Sequence, residues 1–155
     1  MKNNQMIWTS VGVMLLQFLV GPWLAIRGVR PDFFLILVIY IGVANGSFPA
    51  VIVGFICGLI IDGIGVGSYF GLSSLIYLFA GYLSGYLHGK FRRLIPAVFT
   101  GIWVGIVLLS FFLYSFFRFQ YLWDTDLLQF VNIWFLTSVY TLSLMGILQF
   151  VRPLR

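Results

Sequence analysis

The side chains of this sequence that could do chemistry are few, and two aspartates lead them. Asp62 is the only acid deep in the apolar centre of the chain, and a carboxylate inside a membrane segment is a candidate functional site. The interpretation that we favour is a cap on a helix end beside Gly63. Asp32 follows Pro31, a pair that predicts a helix start. Proline needs no amide partner there, and a carboxylate suits the positive end of the helix dipole.

The remaining reactive residues indicate neither catalysis nor metal binding. The single histidine, His88, stands beside a basic cluster at a predicted helix end, and the single cysteine, Cys57, lies in an apolar run. No nucleophile has an obvious nearby base, and neither a metal-ligand spacing nor a phosphate-binding loop occurs. We therefore predict that the protein is not an enzyme and that it has no cofactor and no metal site.

The composition points to lipid as the solvent of this protein. Of its 155 residues, 61% are hydrophobic and 8% are charged, against about 25% charged residues in an ordinary soluble domain. A soluble domain of this size exposes too much surface to hide so many apolar side chains. We predict one integral membrane domain over residues 1–155, an all-α polytopic helical bundle. The net charge of +5 is scattered between apolar spans, which argues against nucleic acid as a partner.

About six transmembrane helices fit the apolar segments. Residues 33–61 carry no charge and, as one helix, would be about 43 Å long, which exceeds the ~30 Å hydrocarbon core. The breaker sequence Asn-Gly-Ser-Phe-Pro at 45–49 favours two short helices instead. These would need local thinning of the bilayer or burial among longer neighbours. The predicted helices are 5–26, 31–44, 49–64, 69–87, 95–117 and 127–150, and residues 118–126 are predicted to form an interfacial loop.

The distribution of the nine Lys and Arg residues bears on orientation, because cytoplasmic loops carry an excess of them. Six helices with the N-terminus inside give six of these residues in the cytoplasm and three outside, whereas five helices with the N-terminus outside give seven and two. The charge rule thus slightly prefers five helices, and the breaker sequence prefers six. Both arrangements place the C-terminus and the loop with Lys90, Arg92 and Arg93 in the cytoplasm. That basic loop could bind anionic lipids, although setting the topology explains it adequately.

Glycines repeat at four-residue spacing along several predicted helices, which places small residues on one face and lets another backbone approach closely. Packing within the same chain is the interpretation that we favour for any one pair. The sharper hypothesis is a groove for a partner's membrane helix, with Gly54, Gly58, Gly81 and Gly85 as the docking candidates. The repeats are Gly42/Gly46, Gly54/Gly58, Gly67/Gly71, Gly81/Gly85/Gly89 and Gly101/Gly105.

Three stretches in the middle third of the chain resemble the rod shape-determining protein MreD family. That family shows a Pro-Asp opening its second helix, a Gly-Phe-x-x-Gly-Leu-x-x-Asp segment, and a Gly-Leu before a helix that ends in Gly-Tyr-Leu. The matching residues here are Pro31, Asp32, Gly54, Phe55, Gly58, Leu59, Asp62, Gly71, Leu72, Gly81, Tyr82 and Leu83.

The resemblance implies a non-enzymatic scaffold of the bacterial cell-elongation complex. Such proteins sit in the inner membrane with a bitopic MreC-like protein. Their complex couples MreB filaments to a RodA-like glycosyltransferase and a penicillin-binding transpeptidase, the enzymes of peptidoglycan synthesis. The family is also similar in fold to the substrate-binding subunits of energy-coupling-factor vitamin transporters, which favours six helices and a cytoplasmic N-terminus.

The alternative function is a substrate-binding subunit of such a vitamin transporter. It would need an aromatic pocket, around Tyr121 and Trp123, with several polar groups converging inside the bundle. The polar candidates are few, namely Asn45, Asp62, Gln129 and Asn132. We prefer the scaffold because the glycine repeats suit helix docking and no catalytic constellation is present.

Overall fold

The computed structural model describes residues 3–21, 23–25, 29–64, 69–91 and 95–151. Within these ranges the chain forms seven α-helices joined by short connections. In chain order they are α1 (Asn3–Leu19), α2 (Phe33–Asn45), α3 (Ser47–Ile64), α4 (Leu72–Gly85), α5 (Pro96–Arg118), α6 (Gln120–Thr125) and α7 (Leu127–Val151). The prediction of an all-helical protein is confirmed for this part of the chain.

The charge-free middle of the chain forms two helices, as the breaker sequence predicts. α2 ends at Asn45 and α3 begins at Ser47, so Gly46 alone joins them. Its φ of 92° lies in the region that glycine adopts without the steric cost of a Cβ. Its amide also donates to the carbonyl oxygen of Gly42 at 2.9 Å, which closes the last turn of α2.

α3 and α4 form the most extensively packed pair of helices. Gly81 lies against Ala50, and Gly58 lies against Ser74. Because the residue numbers rise along one helix as they fall along the other, the two helices run antiparallel. Their glycines let the backbones touch with almost no side chain between them.

α2 runs parallel to α4 and is enclosed by the other helices. Asp32, just before α2, meets Tyr77, and Gly42, near its end, meets Ser84. α2 and α3 therefore form a hairpin around Gly46. Nine of the 13 residues of α2 are buried, and a helix of this length spans about 20 Å, less than the hydrocarbon core. Of the two predicted ways to accommodate a short helix, α2 adopts burial among its neighbours.

Three of the helices, α3, α5 and α7, are long and apolar enough to cross a membrane. The apolar segment Trp8–Leu19 of α1 and the helices α2 and α4 are shorter. Large apolar side chains such as Leu128 and Phe150 cover the outside of the bundle, where lipid tails are as apolar as they are. The described part of the chain is thus that of a helical membrane protein.

Two of the predictions about the helices are wrong, namely where the first helix ends and that residues 118–126 form a loop. α1 ends at Leu19 rather than near residue 26, because the amide of Gly21 donates back to the carbonyl oxygen of Leu16 at 3.3 Å in a wide turn that leaves the helix. The predicted loop at 118–126 contains the short helix α6. This helix forms because Leu122 is buried and its carbonyl oxygen accepts a hydrogen bond from the amide of Asp126 at 2.9 Å.

Part of the predicted charge pattern lies outside the described residues. Of the three basic residues of the predicted cytoplasmic loop, only Lys90 is described; it is exposed, and its Nζ lies 5.6 Å from the centre of the Tyr86 ring. The residues that lie outside are Lys2, Arg27, Arg92, Arg93, Arg152 and Arg155, together with Gly67 of the Gly67/Gly71 repeat.

Candidate functional site

Asp32 caps the N-terminus of α2. Its backbone is extended (φ −103°, ψ 91°), and its Oδ1 accepts a hydrogen bond from the amide of Leu35 at 2.9 Å. The amide of Phe33, which has no partner within the helix, donates to Oε1 of Gln17 on α1 at 2.9 Å. The predicted helix-start role of Asp32 is confirmed, and the same joint brings α1 against α2.

The second carboxylate oxygen of Asp32 links α2 to α4. The hydroxyl of Tyr77 donates to Oδ2 at 2.6 Å. The backbone amide of Asp32 donates to Oγ1 of Thr141 on α7 at 3.3 Å. Both Tyr77 and Thr141 are buried, so this network lies inside the protein. Together with Gln17, it joins four helices at the start of α2.

A cavity of about 410 Å³ lies beside the Asp32 network. Apolar side chains make up much of its wall, and a mostly apolar hollow with a few convergent polar groups is the usual form of a small-molecule site. Six of the seven helices, all except α6, contribute a residue. Its polar lining consists of Gln17, Arg30, Asp32, Ser73, Tyr77, Ser110, Tyr114, Ser115 and Thr137.

Asp62 caps α4 from the last turn of α3. Its Oδ2 accepts hydrogen bonds from the amides of Gly71 at 3.0 Å and Ser74 at 3.2 Å, and its Oδ1 accepts one from the amide of Ser73 at 3.2 Å. The hydroxyl of Ser74 adds a fourth at 3.2 Å. The predicted capping role of Asp62 is confirmed, but the capped helix is α4, because the chain folds back after α3. The carboxylate thus lies at the positive end of the α4 dipole.

Replacing Asp62 by alanine is expected to lower the free energy of unfolding by about 2 kcal/mol, the upper end of the range for a lost helix cap, because three amides lose their acceptor. The free energy of unfolding of Asp62→Asn should lie between those of the unsubstituted protein and Asp62→Ala. Asparagine keeps one acceptor oxygen, but it sets an –NH₂ donor against an amide N–H. Unfolding of the purified protein in a mild detergent measures both. Asp124→Ala, at an exposed position of α6, is the matched control, and equal stability of the two alanine variants would contradict the capping role.

The four glycines predicted to dock a partner helix face their own chain, in the contact between α3 and α4. A Cβ added to any of them would come within 3 Å of the backbone of the facing helix. Packing within the chain fills these faces and leaves no room for another helix there. The facing residues are Tyr77 for Gly54, Ser74 for Gly58, Ala50 for Gly81 and Ser47 for Gly85.

One four-residue glycine pair leaves both of its positions open. Gly101 and Gly105 on α5 are exposed, and within the described residues no atom lies within 4 Å of a Cβ built on either. Ala97, one turn earlier on the same helix, is exposed as well. α5 therefore presents a face of small residues that points away from the bundle.

Comparison with protein families decides what kind of membrane protein this is. A family model described as rod shape-determining protein MreD matches residues 1–153. The chain belongs to the MreD family. Its role is accordingly in rod-shape determination. Searches of curated proteins and of solved structures gave no match, so they support neither the transporter-subunit alternative nor the predicted likeness to energy-coupling-factor subunits.

Four of the MreD motif residues shape helix ends. Pro31 is buried directly before the cap residue Asp32. Gly71, directly before α4, has a φ of 97° that would strain any residue with a Cβ, and its amide is one of the donors to Asp62. These motif residues therefore form the joints that hold α2, α3 and α4 together.

Two other MreD motif residues, Phe55 and Tyr82, point outward and are 45% and 46% exposed. The hydroxyl of Tyr82 shares a hydrogen bond of 2.6 Å with that of Tyr86. His88, which stands beside the basic cluster, contacts the carbonyl oxygen of Val43 through Nδ1 at 2.9 Å. That contact ties the turn after α4 to the end of α2, at the end of the bundle opposite Asp32.

The Asp32 cavity of this MreD protein lies apart from the pocket predicted around Tyr121 and Trp123. The Trp123 ring packs edge-on against Phe130, with ring centres 5.2 Å apart, and Tyr121 is exposed. Among the residues that sequence reasoning missed, Gln17 and Tyr77 are the most informative. Their one sequence signal is a polar group within an apolar helix, and that signal does not say which groups meet.

Proposed function

We propose that this MreD protein is a non-enzymatic scaffold of the cell-elongation complex and that it binds the membrane helix of an MreC-like partner on the outward face of α5. The open pair Gly101 and Gly105 carries the proposal. In the same complex we place a RodA-like glycosyltransferase and a penicillin-binding transpeptidase. The family assignment supports the shape-determining role, and the α5 face supplies a surface on which a scaffold can act.

Membrane physics explains why two exposed glycines suit a docking helix. A glycine inside a helix is about 1 kcal/mol less favourable than alanine, so an exposed pair needs a reason to be there. Between helices in lipid there is little hydrophobic driving force, and close backbone packing across small residues takes its place. Gly101, Gly105 and Ala97 lie one turn apart on one face of a 23-residue helix. A partner's span along this face would exchange lipid contacts for backbone contacts.

The proposal includes six crossings of the inner membrane, with both termini in the cytoplasm. The cavity beside Asp32 supports it, because the end of α1, the start of α2, the end of α3, the start of α4 and the end of α5 all reach it. Successive helices therefore run in opposite directions. The turn with Lys90 follows α4 at the other end, where its charge faces the cytoplasm and anionic lipid. Arg30 and Arg118 then lie on the outer side.

Co-purification of the MreC-like partner from native membranes tests the docking face. The double variant Gly101→Leu/Gly105→Leu should reduce the recovered partner about ten-fold, equivalent to about 1.4 kcal/mol of binding free energy, because two leucines hold the partner's backbone away from α5. Expression and thermal stability of this variant should match the unsubstituted protein, since both positions are open.

Gly12→Leu is the matched control for this test. Gly12 on α1 is also exposed, with no described atom within 4 Å of a built Cβ, so the same substitution is made on a different outward face. Partner recovery should be unchanged by it. Unchanged recovery in the α5 double variant, or an equal loss with Gly12→Leu, would contradict docking on α5.

A further inference from the structure

The cavity beside Asp32 contains one group of each charge. Arg30 is exposed and also lines the cavity, so it stands at the mouth. Asp32 lies farther in, on the buried network with Tyr77. The two residues are separated only by Pro31, and both line the cavity.

The Asp32 carboxylate has capacity for another partner. The hydrogen bonds that it accepts come from neutral groups, among them the amide of Leu35 and the hydroxyl of Tyr77. An ionised carboxylate can accept about four hydrogen bonds, and a carboxylate within a protein is stabilised most by a paired cation. A cationic group that enters the cavity would supply both a further hydrogen-bond donor and a paired positive charge.

Further polar groups line the cavity. Ser73 and Ser115, which are 4% and 3% exposed, are among its lining residues. Gln17 uses its side-chain oxygen to accept from the amide of Phe33, so its –NH₂ remains a donor. These polar groups converge on one hollow, so a polar molecule bound there could form hydrogen bonds with several of them.

We propose that this cavity binds a zwitterionic group in which a primary ammonium contacts Asp32 and a phosphate contacts Arg30. Arginine pairs with phosphate through two parallel hydrogen bonds, and an ammonium brings three donors to a carboxylate. Because only Pro31 separates these two residues, a small group with a phosphate and an ammonium joined by two carbons is the class of ligand that we expect. The volume of about 410 Å³ holds such a group with room for more of the molecule.

Two sources can present this chemistry. One is a phospholipid with an ethanolamine head group, whose acyl chains would run down the outside of the bundle from the mouth at Arg30. The other is a soluble phosphoethanolamine. Both would engage the same two residues, and an anionic lipid without an ammonium, such as phosphatidylglycerol, would engage only Arg30.

The test measures thermal unfolding of the delipidated, detergent-purified full chain as lipid is added. Dioleoyl phosphatidylethanolamine should raise the midpoint in a saturable manner, and phosphatidylglycerol at the same mole fraction should do so far less. Asp32→Asn and Arg30→Gln should each raise the half-saturating mole fraction of phosphatidylethanolamine about ten-fold or more, as expected for a lost charge-assisted hydrogen bond. Asparagine is a good helix N-cap, so Asp32→Asn leaves α2 its start.

Asp124→Asn makes the same change at an exposed position of α6 and is the matched control. This variant should bind phosphatidylethanolamine like the unsubstituted protein. Saturation with soluble phosphoethanolamine that shows the same dependence on Asp32 and Arg30 would support the site with the free molecule as its source. Failure of the soluble compound alongside binding of the lipid would assign the lipid. Equal effects of the two lipids, or unchanged half-saturation in both cavity variants, would overturn the proposal, whatever the result of the α5 docking test.

Discussion

Gly58→Ala should destabilise this protein by about 3 kcal/mol, the upper part of the range for an overpacked core. The added methyl group would overlap the backbone of Ser74, and backbone cannot move aside as the end of a flexible side chain can. α3 and α4 would have to separate along their whole contact. Since Asp62 caps α4 from the last turn of α3, that separation would also pull the cap away from its amides.

Gly105→Ala is the matched control, since it makes the same change where no described atom lies within 4 Å. It should leave stability unchanged or raise it by up to about 1 kcal/mol through helix propensity. Unfolding in detergent, followed by tryptophan fluorescence, compares the two variants on one scale. If Gly58→Ala and Gly105→Ala had the same free energy of unfolding, the close approach of α3 and α4 would not exist in solution.

Asp32→Ala should lower the free energy of unfolding by a similar amount, about 3 kcal/mol. The change removes the cap of α2 and leaves two donors, the amide of Leu35 and the hydroxyl of Tyr77, without their acceptor. A lost cap costs about 0.5–2 kcal/mol, and each buried donor left unpaired costs about 1–3 kcal/mol. Asp32→Asn should recover much of this loss because asparagine still accepts from Leu35.

A double-mutant cycle that combines Asp32→Ala with Tyr77→Phe measures how much the hydrogen bond between these two residues contributes to stability. Tyr77→Phe alone should cost about 1.5–3 kcal/mol, the value of a hydrogen bond to a charged group. In the Asp32→Ala background the same change should cost close to nothing, because the hydroxyl has already lost its acceptor. Strict additivity of the two substitutions would show that the 2.6 Å contact contributes nothing to stability.

The order of the helices could be predicted from local sequence, because each boundary depends on a few neighbouring residues. The Asn-Gly-Ser-Phe-Pro run separates α2 from α3, and Pro31 with Asp32 begins α2. α6 escaped prediction because its formation depends on the burial of Leu122 against the other helices, which a local pattern does not contain. The end of α1 was misplaced for the opposite reason, since its apolar pattern continues past the turn at Gly21.

The contents of the candidate site could be predicted far less well. Glycine spacing shows that a helix has a small face, but it does not show whether the helix on that face belongs to the same chain. Gly54 and Gly101 therefore look alike in sequence, yet one is buried against α4 and the other is open. The pairing of Asp32 with Tyr77 joins residues 45 positions apart. Such a pairing follows from the directions of α2 and α4, which no local pattern specifies.

The single-residue joint at Gly46 has a consequence for how the protein enters the membrane. α2 is too short to cross a bilayer comfortably, and most of its surface is matched to other helices rather than to lipid. Because it is short, we expect it to insert less readily alone than together with α3. With Gly46 as the only link, α2 and α3 would leave the translocon as one helical hairpin. The faces of α2 and α3 that pack against α4 have no partner until α4 emerges. We therefore expect the first half of the chain to complete its packing only when its fourth helix has been synthesised.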